Sequence, residues 1–182
     1  MKLKAVAVLL LFFFASTSEA VEGWQVASFD KAEALFTAFD KKEAALLTQY
    51  DPKIADFYAV FLPCQDAERK MRRYAFLKHL RQNPETINWA SIWNWAGGRD
   101  MGTKEQEKLA AEDPAYRALR EDFLAKKAAW KRKKDLTRIR NAEYEKHAEI
   151  FNVLEENLLK DLKALQADVD QRMSNAPPGP SR

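Results

Sequence analysis

The sequence predicts an all-α fold, a helical bundle organised on one long heptad-bearing C-terminal helix. Three observations carry that prediction. Five glycines in 182 residues, at 23, 97, 98, 102 and 179, leave two long glycine-free blocks, which suits helices rather than strands joined by tight turns. Asp51-Pro52, Asn83-Pro84 and Asp113-Pro114 each join an N-capping side chain to a proline, whose missing N–H costs nothing in a first helical turn. Tyr116, Phe123, Trp130, Thr137, Tyr144, Phe151, Leu158 and Leu165 recur at every seventh position. A straight helix drifts by about 20° per heptad, so such a column keeps to one seam only in a left-handed supercoil.

The chain opens with Lys2 and Lys4, then the apolar run Ala5 to Phe14 and small or polar residues ending in Ser18-Glu19-Ala20. This reads as a secretory signal peptide over 1–20, cleaved before Val21. The run has about half of the roughly 20 apolar residues that a membrane-spanning helix needs. The expectation is a periplasmic or secreted protein with a single helical domain over 21–174. Loss of Lys2, Lys4 and Glu19 from 30 basic and 27 acidic residues leaves a net charge of +2, too small to identify a partner class. Cys64 is the only cysteine; it cannot form an internal disulfide and is expected to be buried.

A first helix is expected over Ser28 to Tyr50, where Phe29, Ala32, Phe36, Phe39, Leu46 and Tyr50 follow three- and four-residue steps interrupted only by Glu43. That spacing matches the seam of the long helix, so the two should pack lengthwise. A short apolar helix from Pro52 to Leu62 should end or kink at Pro63. From Cys64 to Gln82 the chain is helical without a clean stripe: Met71, Tyr74, Phe76, Leu77 and Leu80 alternate with Arg69, Lys70, Arg72, Arg73, Lys78 and Arg81. Those cations either extend a positive surface or pair with acids of the first helix.

Asn83-Pro84 should open a helix carrying Trp89, Ile92, Trp93 and Ala96 on one face, with Trp95 on its flank and Gly97-Gly98 at its end. Gly97 to Gly102 forms a joint, and Thr103 with Gln106 resembles a capping box for a short helix up to Glu112. The long helix then runs from Asp113 to Met173, with no glycine or proline until Pro177. At 1.5 Å per residue it would be about 90 Å long, so it must bend, break near Arg138 to Asn141, or project. The tail over 175–182, with three prolines, is expected to be disordered.

The strongest functional candidate lies within that helix. Between Lys126 and Arg140 there are eight basic residues against Asp135 alone. Lys126, Lys127, Trp130, Lys133, Lys134, Arg138 and Arg140 would form a cationic groove with an aromatic floor, suited to an acidic protein surface or an anionic envelope polymer. The competing reading is a solvated surface whose lysine stems cover Trp130. Trp89, Trp93 and Trp95 form a second candidate: exposed, they would hold another polypeptide in a chaperone-like or inhibitory role; buried, they plug the core. The heptad seam would also serve as a homo-oligomer interface.

Catalysis has little sequence support. The chain has no HExxH, GxSxG, Walker loop or cysteine pair, and Glu143 with His147 supplies only two of the ligands a metal site needs. No cofactor or metal is expected. A wall or polysaccharide hydrolase using carboxylates alone would leave no spacing signature and stands as the enzymatic alternative. The expectation is an exported, non-enzymatic helical binding protein.

Overall fold

A computed structural model of the chain describes residues 3–99 and 101–175, with side chains from Gly23 onward except that of Glu85. The side chains of the expected leader and the tail beyond Asn175 lie outside the described residues. Seven α-helices are present among those described: α1 (Leu3–Tyr50), α2 (Ile54–Gln82), α3 (Trp89–Gly97), α4 (Thr103–Glu112), α5 (Pro114–Lys131), α6 (Lys134–Lys146) and α7 (Ala148–Ser174). A 3-10 turn, Pro84–Thr86, separates α2 from α3. The fold is all-α. Among the described residues, no helix is long and apolar enough to cross a membrane.

Four helices form a row in the order α5, α2, α1, α7, each antiparallel to its neighbour. Tyr74 reaches Asp113 at one end of the α2–α5 pair, and Phe61 meets Trp130 at the other. Tyr50 stacks on His147 where α1 ends and α7 begins. The larger core cluster joins Phe29, Met71, Phe76, Ile92, Tyr116, Phe123, Leu162 and Val169 across all four helices and α3. A smaller one gathers Leu47, Ile54, Phe57, Tyr58 and Phe151 where α6 crosses the end of the row. The lengthwise packing expected for the first helix holds for α1 and α7.

The continuous helix from Asp113 to Met173 is not formed. The chain turns at Arg132–Lys133 and again at His147, instead of near Arg138 to Asn141. No glycine or proline causes these turns; packing does. Phe123 must face α2 while Leu162, Leu165 and Val169 must face α1, and a straight helix cannot do both. Burying three such side chains is worth about 1.5–3 kcal/mol each, more than the few helical hydrogen bonds lost at about 1 kcal/mol each. The heptad column nevertheless points inward throughout, from Tyr116 to Leu165, with no member exposed. Its seam packs inside a single chain.

Other boundaries also move. Pro63 does not end a helix, because α2 runs through it with the ring on the solvent side. The cost, about 3 kcal/mol for an internal proline, is outweighed by burial of Phe57, Tyr58, Cys64, Met71, Phe76 and Leu80 on the opposite face. The first helix begins well before Ser28, and Tyr50 at its end is 38% exposed. Asn83-Pro84 opens only the 3-10 turn; the true cap of α3 is Asn88, whose side chain accepts from the Ser91 N–H at 2.9 Å. At α4 the reciprocal bond comes from Glu105, which accepts from the Gly102 N–H at 2.7 Å. Gly98 has φ +72, which favours glycine, and a Cβ there would lie only 3.2 Å from the Arg72 guanidinium.

Candidate binding surfaces

Three arginines of α2 are spent on α1. Arg73 makes a two-pronged pair with Asp30 (2.7 and 2.8 Å), Arg69 reaches Asp40 at 2.6 Å and Glu33 at 3.5 Å, and Arg72 lies 3.8 Å from Glu33. The antiparallel pairing of α1 and α2 produces this ladder, since successive acids of α1 meet successive arginines of α2 in reverse order. Arg72 also donates to the Ala96 carbonyl at the C-terminal end of α3, where a cation is favoured by the helix dipole. Burial pushes the Glu33 carboxyl up to about 7 despite both arginines, and its Oε1 has no hydrogen-bond partner. Burial likewise raises Asp40.

A second buried polar cluster was invisible in the sequence. Glu43, the one interruption of the α1 seam, accepts from the Tyr58 hydroxyl at 2.5 Å and from the Arg140 guanidinium. Arg140 also stacks over the Tyr144 ring at 4.6 Å. Arg140 therefore lies apart from any exposed groove and holds α6 to α1 and α2.

The other members of the basic segment divide into two groups. Lys126 pairs with Asp122 at 2.6 Å, and Lys127 sits 4.9 Å over the Phe123 ring. Trp130 is half-buried with its edge toward Phe61, and its indole N–H is enclosed without an acceptor. In contrast Lys131, Arg132, Lys133 and Lys134 are consecutive and all exposed where α5 turns into α6. Arg138, whose side chain is 84% exposed, adds a fifth charge one turn on, with Asp135 at 3.8 Å as its partner. The segment thus forms a corner, not a groove floored by Trp130.

The tryptophans also divide. Trp95 is buried among Phe76, His79 and Met71. Trp89 and Trp93 are half-buried, 6.0 Å apart, and with Leu159, Leu162 and Lys163 of α7 they border a groove of about 350 Å³. Leu159 is 50% exposed beside them.

Nucleophilic and metal chemistry find little here. Cys64 is buried and its thiol is pushed up by burial, away from reactive thiolate character, and unbroken α2 keeps it roughly four turns from His79. His147 stacks on Tyr50 at 3.7 Å, with its Nε2 3.5 Å from Glu143. Among the described residues, no group of three or more potential ligands could hold a metal ion. Comparison with family models, with curated proteins and with solved structures found no match to this chain.

Proposed function

We propose that this is an exported, non-enzymatic binding protein that engages an anionic partner, an acidic protein surface or an envelope polymer, through the α5–α6 corner. The observation that carries this reading is the run Lys131 to Lys134, four adjacent exposed cations at one turn. Helix stability does not account for all of them. Lys131 and Arg132 close the C-terminus of α5, where positive charge is favoured, but Lys133 and Lys134 open α6, where it is opposed by the helix dipole. Several cations elsewhere are paired closely, as Arg69, Arg73 and Arg140 illustrate. At the corner Lys131 to Lys134 make no ion pair among the described residues, and Asp135 pairs with Arg138. The test is titration of the mature chain with polyglutamate and polyphosphate, read by binding isotherm. Saturable binding that charge reversal at the corner abolishes supports the reading; binding indifferent to that change refutes it.

A second reading rests on a different observation, the half-buried Trp89 and Trp93 beside exposed Leu159. That groove suits an apolar stretch of another polypeptide, as in a chaperone-like or inhibitory protein.

A further inference from the structure

We propose that the cavity under the Gly97–Gly102 joint is a binding site for an aromatic amino acid in its zwitterionic form, a function separate from that of the basic corner. The cavity, about 450 Å³, opens between α2, α3 and α4, a volume within the range of small-molecule sites, about 300–1,000 Å³. Its floor is apolar: Ala75, Trp95, Met101 and Leu109. The His79 ring forms a wall, 5.5 Å from the Trp95 ring and tilted by 36°, so a flat aromatic body meets two ring surfaces set for offset or edge contact. Asn83 Nδ2 lies 3.4 Å from the His79 carbonyl oxygen, to which it donates, and 3.5 Å from His79 Nδ1.

The rim selects the charge of the ligand. Two ammonium and two carboxylate groups border the cavity, Lys78 and Lys108 against Glu105 and Glu112, so its formal charge is zero and a polyanion is not favoured there. Lys78 is committed to Asp113 at 2.7 Å, and Glu105 to the Gly102 N–H at 2.7 Å. Lys108 and Glu112 remain, one turn apart on α4 and without an ion-pair partner among the described residues. An opposite pair left open beside an apolar floor fits a ligand that carries both charges next to a ring. The carboxylate goes to Lys108, the ammonium to Glu112, and the side chain to Trp95 and Met101.

Gly98, in the left-handed conformation, caps α3 beside the cavity. The experiment is calorimetric titration of the mature protein with L-phenylalanine, and with phenylpropionate and phenethylamine as analogues that keep one charge each. Lys108→Gln is expected to weaken phenylalanine and phenylpropionate about tenfold and to spare phenethylamine; Glu112→Gln is expected to weaken phenylalanine and phenethylamine by a similar factor and to spare phenylpropionate. Both positions are exposed on α4, and an unchanged Tm certifies the fold of each variant. No binding of phenylalanine up to about 10 mM, or an affinity indifferent to both substitutions, overturns the proposal.

Discussion

Replacing Lys133 and Lys134 together by Glu separates a binding role of the corner from a structural one. Lys133 precedes α6 and Lys134 is its first residue, so each ammonium faces the positive end of the helix dipole. A cation there costs about 0.3–1 kcal/mol at an exposed site, and an anion gains a similar amount. The double variant should therefore be more stable than the parent by at least about 1 kcal/mol, a rise of at least roughly 2–4 °C in Tm for a domain of this size. Relief of repulsion from Lys131 and Arg132 acts in the same direction. Binding should move the opposite way, since the variant turns four adjacent cations into two cations and two anions. Thermal denaturation and polyglutamate titration on the same samples decide the matter. Lower Tm with unchanged affinity would show that the lysines serve the fold, and the reasoning would fail.

Arg140→Ala should act on the fold rather than on the corner: it strands buried Glu43, a loss of about 3 kcal/mol by the usual cost of an orphaned buried charge, read by urea denaturation with polyanion affinity retained. Glu33 sets a pH dependence. Its folded pKa near 7 exceeds the ordinary carboxylate value of 4.5, so the native state binds more protons and stability falls as pH rises between those values, by roughly 3 kcal/mol. Glu33→Gln should flatten that slope, and an equal slope in the variant would exclude Glu33 as its source. Asp113 has the opposite sign: Lys78 and the α5 N–H groups hold it to about 2, so its contribution is present above pH 3.8 and lost as the pH falls toward 2. If Trp89 and Trp93 hold apolar segments, the native protein should bind a hydrophobic dye and lose most of that signal in Trp89→Ala/Trp93→Ala. A weak signal unchanged by the pair would remove the polypeptide-holding reading.

The inward column was legible because heptad spacing constrains which residues can share a face whether or not the helix is continuous. Where the helix breaks was not legible, because Arg132, Lys133 and His147 are ordinary helix residues and the turns come from α5 packing on α2 while α7 packs on α1. Pro63 misleads for the same reason: a local cost was outweighed by distant contacts. The cationic run over 126–140 was visible, but its division into engaged and open members depends on Asp122, Phe123 and Glu43, and Glu43 lies 97 residues from Arg140. Glu43 in the middle of an apolar seam was the available signal for that cluster. The cavity beside Trp95 left none, since Lys108 and Glu112 on an amphipathic helix look like any solvated pair.

The most direct measurement is the affinity of the intact protein for a linear polyanion as salt is raised. With the five cations of the corner engaged, log K should fall linearly with log salt with a slope of about −3 to −4, as release of condensed counterions requires. Emission from Trp130, adjacent to Lys131, should change with the same midpoint. A flat salt dependence, or binding that survives charge reversal of Lys131 to Lys134, would contradict the account.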